Sequence, residues 1–226
     1  MERRVYLKLV TGTDGKLTPK KGQFEKLAKY AAGSRLYGWG SINSQEKIRG
    51  RNVWYFSCSG HGGYVVIKTD GDGVIIPEGF GVTFEFDDMN YDDGRVAVQV
   101  YQFEEDCDWA ILEYYNPFVF EWSYKVRKAE GSARTRGEMW ESVLRTVAAW
   151  SPELIKDEDA EWAREYLTQQ KNELTIKAVV AQAEGKKYFS YDEDIKETEL
   201  KIKLIGVGKE RAREMKSVKA MRAEAV

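Results

Sequence analysis

Residues 36–103 alternate short apolar runs with polar turns, a pattern typical of β-strands. The segment 95–103 shows the alternation most clearly, because its three valines fall on one face of an extended chain. Clusters of Gly and Asp at 70–73 and 92–94 predict turns. We predict strands at 3–10, 52–57, 64–68, 74–76, 82–86 and 95–103.

Helical spacing appears on both sides of this region. Thr18-Pro19 predicts the start of a helix, with Thr18 as its N-cap and Pro19 at its first position. Gly33 predicts the end of that helix. Residues 104–115 predict a second helix, with Asp106 as its cap and acidic residues near its positive end.

Helices dominate from about residue 137 onward, and the spacing in 157–184 predicts a long one. Alternation returns at 118–126 and at 196–207, which predicts two further strands. We therefore expect an α+β fold. Its N-terminal half is antiparallel, β-rich and packed with helices, and its helical C-terminal part holds one late strand.

The length of 226 residues suits one large domain, or one domain with a helical appendage. We predict a core domain at 1–130 and a mainly helical region at 137–226, packed on that core. The net charge of −2 lacks the basic excess that drives direct nucleic-acid binding, and no apolar run approaches the roughly 20 residues of a membrane span. With no secretory signal pattern and only two Cys, we expect a cytoplasmic protein.

Acidic side chains concentrate in the middle of the chain. Between Phe84 and Glu113 there are ten Asp or Glu residues and a single basic residue, Arg95. They form either a solvated rim or an acidic surface for a basic partner, such as the nucleic-acid groove of a host protein, or for a metal ion. One His and two Cys cannot complete the usual four-ligand zinc site, and no nucleotide-binding glycine fingerprint occurs, so we expect no cofactor.

The single histidine lies in a glycine turn that reads Ser59-Gly60-His61-Gly62-Gly63. An apolar strand precedes this turn, and its glycines leave the imidazole uncrowded. Because the ordinary pKa of His is about 6.5, an exposed His61 can act as a general base. The alternative is a hairpin turn whose histidine caps backbone groups.

Cys107 stands between Asp106 and Asp108, whose carboxylates raise the pKa of the thiol and so disfavour the thiolate. The glycine turn, 46 residues upstream (107 minus 61), resembles the histidine motif of caspase-like cysteine proteases. Cys107 departs from that family in its acidic neighbours, in its missing glycine pattern and in the β-rich segment before it. Two interpretations stay open: a Cys–His hydrolase, and a buried cysteine at the start of a helix.

A closer resemblance is to a family of uncharacterised domains from plasmids, phages and their hosts. The chain is similar to this family at Trp39-Gly40, at residues 60–63, and at residues 104–110, which read Glu-Glu-Asp-Cys-Asp-Trp-Ala. The resemblance covers about half of the chain. It implies a phage or mobile-element setting, and a pairing of the histidine turn with the cysteine segment in space.

Three function classes follow, and we expect binding rather than catalysis. The first is a phage or mobile-element accessory protein that binds another protein. An example of this class is an inhibitor of a host defence system, of the anti-CRISPR or anti-restriction kind. The second is a hydrolase that uses His61 with Cys107, or with a metal held by acidic residues. The third is a viral structural or assembly protein. The candidate catalytic residues are His61 and Cys107, and the candidate binding residues are Glu104, Glu105, Asp106, Asp108, Trp109 and Trp39.

Overall fold

The structure is a computed structural model that describes residues 9–11, 17–19, 22–33, 38–69, 71–77, 84–86, 98–185 and 189–207. The chain divides into two compact units, the first made of Met1–Ile76 with Phe80–Trp122, and the second of Pro77–Gly79 with Ser123–Val226. This division, between Trp122 and Ser123, comes earlier in the sequence than the boundary predicted near residue 130. The described strands come first and the long helices later, so the α+β class predicted from the sequence is confirmed.

Strands dominate the described part of the first unit. They are β1 (Leu9–Thr11), β2 (Leu17–Pro19), β3 (Ile42–Lys47), β4 (Val53–Cys58), β5 (Gly62–Lys68), β6 (Phe84–Phe86) and β7 (Val98–Glu104), with helices α1 (Gln23–Gly33) and α2 (Trp109–Tyr115). β1 and β2 pair as an antiparallel hairpin. The other five strands form an antiparallel sheet in the order β3-β4-β5-β7-β6.

The centre of this sheet is β5, whose residues from Gly62 to Ile67 are all buried. Helix α1 covers one face of the sheet with Leu27, Ala28, Ala31 and Ala32. These residues share one side of the helix, and the small alanines let its backbone lie close to the strands. The sheet contributes Trp54, Phe56, Val65, Ile67 and Val100 to the same cluster.

The opposite face of β5 carries Tyr64. Its hydroxyl donates a 2.8 Å hydrogen bond to Oε1 of Glu113, which lies on α2 and is fully buried. The Tyr64 ring also packs against Tyr55 and Trp122 at centroid distances of 5.3 and 6.1 Å. Both faces of the central strand are therefore covered, which explains its continuous apolar run.

Three local predictions in the first unit are wrong. Thr18 and Pro19 belong to β2, and the helix begins four residues later, at Gln23. Residues 74–76 form no strand, because the side chain of Asn116 bonds both the N–H and the carbonyl of Ile75, at 2.7 and 2.8 Å. Helix α2 is capped at Asp108 and not at Asp106. The predicted strand residues 3–8, 82–83 and 95–97 lie outside the described part of the chain.

The later helices are α3 (Pro117–Ala129), α4 (Arg136–Trp150), α5 (Ala160–Ala183) and α6 (Phe189–Leu204). Both strands predicted here are helical instead. The bulky run 118–126 lies in α3, where Val119, Phe120 and Ser123 are buried on one face. The late strand predicted at 196–207 is mostly α6, which packs against α5 and in which Thr198 and Leu204 are buried.

In the second unit, α4 begins with a capping box in which Thr135 and Glu138 exchange hydrogen bonds. Its buried residues Met139, Val143 and Val147 recur every four positions, as the sequence predicted for a helix. Ser151-Pro152 ends it, also as predicted. No helix in the described ranges has both the length and the apolar character needed to cross a membrane.

Candidate functional site

The glycine turn connects β4 to β5, two neighbouring strands of the sheet. The backbone N–H of Cys58 donates to the carbonyl of His61 at 3.0 Å, and Ser57 pairs with Gly62 in the strand register. The imidazole therefore projects from the end of a hairpin whose two strands are both anchored in the core. The side chain of His61 is 53% exposed, so it is open to solvent and to a partner.

The Trp39-Gly40 segment holds this turn from one side. The N–H groups of Gly60 and His61 both donate to the carbonyl of Trp39, at 3.1 and 3.3 Å. A Cβ on Gly40 would lie 2.6 Å from the hydroxyl oxygen of Ser59, so the two segments are in close contact. The Trp39 side chain is only 6% exposed and belongs to the core cluster. The binding role of Trp39 stays a prediction; the structure places its indole in the core cluster and its carbonyl against the turn.

The acidic segment that follows β7 holds the turn from the other side. Gly63 pairs with Glu104 in the register of β5 and β7, and the N–H of Glu105 donates to the carbonyl of Gly62 at 3.0 Å. Nδ1 of His61 lies 3.6 Å from Oδ2 of Asp106. The structure thus places the histidine turn beside the acidic cysteine segment, as the resemblance implied.

Two acidic side chains flank the turn at its surface. Asp106 is 68% exposed, and a Cβ on Gly62 would lie 2.6 Å from Oε2 of Glu105, so this carboxylate sits directly over the turn. Burial, and then the charge of Glu105, raise the pKa of the Cys58 thiol. We call the exposed residues of this region the glycine-turn surface; they are Ser59, Gly60, His61, Glu105 and Asp106.

Cys107 points to a different neighbour. Its Sγ donates to Oδ1 of Asp108 at 3.5 Å. Burial raises the pKa of the thiol to about 11, and the Asp108 carboxylate adds to the effect. Because the thiol stays protonated at neutral pH, Cys107 is a poor nucleophile. The sequence predicted the direction of this shift from the carboxylates, whereas the larger cause is burial. The raised pKa therefore weighs against a nucleophilic role for Cys107.

The remaining predicted residues lie around the start of α2. Glu104, Asp108 and Trp109 are each half-buried, and Asp108 is the N-cap of the helix, although its side chain makes no capping hydrogen bond. Ser59 was missed as a site residue: its hydroxyl accepts the N–H of Ser41, the residue before β3, at 3.1 Å and so ties that segment to the turn. The sequence feature that could have identified Ser59 is its position directly before Gly60, at the start of the turn.

The chemistry available at the glycine-turn surface is that of one imidazole and two carboxylates. In the described ranges, no group of three or more His, Cys, Asp or Glu side chains has the arrangement needed to hold a metal ion. The surface offers charge-assisted hydrogen bonds to cationic groups, and an imidazole nitrogen that can accept a proton. No protein-family model, curated protein or solved structure matches this chain.

Proposed function

We propose that the chain is an accessory protein of a phage or mobile genetic element, and that it acts by binding another protein through the glycine-turn surface. The observation that carries the proposal is the exposed pair of His61 and Asp106, together with Glu105, on a turn fixed by backbone hydrogen bonds. A fixed turn loses little conformational freedom on binding, which favours affinity. The resemblance to plasmid and phage domains supplies the setting.

The chemistry of the surface favours a basic partner. Carboxylates such as Glu105 and Asp106 pair with Arg in a bidentate geometry, and complementary charge speeds the encounter of two proteins. A host defence protein with a basic nucleic-acid groove is a partner of this kind. By covering that groove in the host cytoplasm, the chain would act as an inhibitor of defence.

A binding experiment with paired charge variants tests this proposal. Partners captured from host lysate on the immobilised wild-type chain are identified, purified and titrated against the wild type, against the double variant E105Q/D106N and against E46Q. Glu46 is an exposed acidic residue on β3 in the same unit, so E46Q controls for a simple loss of charge. We expect the double variant to weaken binding by at least about tenfold, with a smaller effect in high salt, and E46Q to bind like the wild type. Equal binding by all three chains would refute the proposal.

The geometry of His61 favours a second candidate, a hydrolase in which this residue activates water. With Nδ1 facing the Asp106 carboxylate, Nε2 is left to accept a proton, as a general base requires. Cys107 has no part in this version. Hydrolysis of ester and phosphodiester substrates by the purified chain, lost in H61A and retained in C107S, would establish the hydrolase. If the wild-type chain hydrolyses these substrates no faster than H61A does, the hydrolase is excluded.

A further inference from the structure

The turn between α3 and α4, entirely within the second unit, forms an open cleft of about 370 Å³. Sites for small molecules commonly fall in the range of about 300–1,000 Å³. Nothing in the proposed binding function uses this part of the chain. The residues that line the cleft are Arg127, Glu130, Gly131, Ser132, Arg134 and Met139.

The backbone of the turn brings the two arginines to one cleft. After α3 ends, Gly131 takes a positive φ of 93°, and its N–H donates to the carbonyl of Lys128 at 3.1 Å. The N–H of Ser132 then donates to the carbonyl of Arg127 at 2.9 Å. Because the chain folds back on the end of α3, Arg134 approaches the same cleft as Arg127, seven residues earlier.

Positive charge is concentrated here although the whole chain is slightly acidic. Residues 125–136 contain five Lys or Arg and one acidic residue, Glu130, against a net charge of −2 for the chain. The next carboxylate along the chain, Glu138, accepts hydrogen bonds from the N–H and the hydroxyl of Thr135, at 2.6 and 2.9 Å. With Glu138 included, residues 125–138 still hold five basic and two acidic side chains, so this turn keeps a surplus of positive charge.

We propose that this cleft binds a small phosphate monoester that also carries an amine or hydroxyl group. The planar guanidinium groups of Arg127 and Arg134 match the geometry of a phosphate. The Ser132 hydroxyl accepts the N–H of Arg134 at 3.4 Å, so its own proton is available to a phosphate oxygen. The Glu130 carboxylate provides an acceptor for the amine or hydroxyl, and Met139, only 1% exposed, forms an apolar floor.

Isothermal titration of the whole chain tests this site with three probes: inorganic phosphate, phosphoethanolamine and a short single-stranded oligonucleotide. Arg134 is exposed, so R134Q should keep the fold, which circular dichroism verifies. We expect R134Q to weaken binding of phosphate and of phosphoethanolamine by about tenfold or more, since a charge-assisted contact is lost. K177Q, which removes one exposed positive charge on α5, should leave both affinities unchanged.

Glu130 gives the experiment a second, opposite readout. In E130Q the repulsion of anions is removed, so inorganic phosphate should bind more tightly, while the preference for phosphoethanolamine over phosphate should fall. A simple excess of positive charge would instead tighten both probes alike, and that result would overturn the proposal. Tighter binding of the oligonucleotide than of the monoester would also overturn it, in favour of a nucleic-acid surface, as would the absence of any binding at millimolar concentrations.

Discussion

Among the glycines that the structure describes, Gly63 is the one at which an added Cβ would meet the closest backbone atom. This residue lies on β5 with a φ of +139°, a conformation that side chains with a Cβ rarely adopt. A Cβ here would overlap the carbonyl oxygen of Phe103 on β7 and would lie 3.1 Å from Cα of Glu104. Both obstacles are backbone atoms of a paired strand, so they cannot move aside as a flexible side chain can.

The expected cost of Gly63→Ala has two parts. Holding a non-glycine residue at this φ costs about 1–3 kcal/mol, and forcing an extra carbon into a packed interior costs about 1–3 kcal/mol more. The sum, about 2–6 kcal/mol, is a large part of the stability of an ordinary domain, which is about 5–15 kcal/mol. Gly50→Ala is the matched control: Gly50 has a φ of +77°, and no atom lies within 4 Å of the position that an added Cβ would take, so it incurs only strain, about 1–2 kcal/mol.

Urea unfolding, followed by tryptophan fluorescence and by far-ultraviolet circular dichroism, measures both variants. The free energy of unfolding should fall clearly further for Gly63→Ala than for Gly50→Ala. If the two losses are equal, the close approach of β5 and β7 at Gly63 does not exist. In that case the presence of glycine at position 63 would need a functional explanation instead of a structural one.

Three further predictions concern single contacts. Alkylation of Cys107 by iodoacetamide should be slow at neutral pH and should accelerate only towards pH 11, because the pKa of the thiol is raised. If the alkylation rate reaches half of its maximum near pH 8, this prediction is contradicted. Thr135→Ala should lower the free energy of unfolding by about 1 kcal/mol at pH 7. The hydrogen bonds from the Thr135 N–H and hydroxyl hold the pKa of Glu138 below its ordinary 4.5, and the variant loses the hydroxyl, so part of this difference should disappear as the pH falls below that value; a constant difference would mean that the hydroxyl does not bond the carboxylate. Tyr64→Phe should cost about 1–3 kcal/mol in urea unfolding, because the buried Glu113 loses a donor, whereas a cost near zero would mean that the 2.8 Å bond contributes little.

The elements that the sequence predicted well are those in which one local pattern has one structural solution. The strands β4 and β5 combine β-branched and aromatic residues with a glycine turn, and the structure has them within two residues of the predicted bounds. The long helix α5 likewise lies inside its predicted range, 157–184. In these segments local propensity and tertiary packing favour the same conformation.

The late strand was predicted wrongly because its segment has two possible periodicities. In the run Leu200, Ile202 and Leu204 the apolar residues alternate, yet Leu200 and Leu204 are also one helical turn apart. An ion pair between Lys201 and Glu197, four residues apart, supports the helix at 2.7 Å. Such a short run satisfies a strand pattern and a helix pattern equally, and the packing of α6 on α5 decides between them.

The candidate site depends on strand order, which one sequence does not determine. The histidine turn meets the acidic segment because β5 pairs with β7, while β6 lies at the edge of the sheet. The spacing of 46 residues (107 minus 61) between the two motifs is compatible with many other arrangements. Their proximity was expected only from the resemblance to plasmid and phage domains. The partial burial of Cys107, which is the larger cause of its raised pKa, leaves no signal in the neighbouring residues of the sequence.

The structure separates two roles within the glycine turn, and this separation decides how its variants should be interpreted. The backbone of the turn is fixed by the carbonyl of Trp39 and by the N–H of Glu105, and its glycines lie against other backbone segments. The imidazole of His61, by contrast, is more than half exposed and faces the exposed carboxylate of Asp106. A loss of function in a glycine variant therefore reports on the fold, whereas a loss in H61A with unchanged stability reports on the surface. Only the second result identifies a contact with a partner or a substrate.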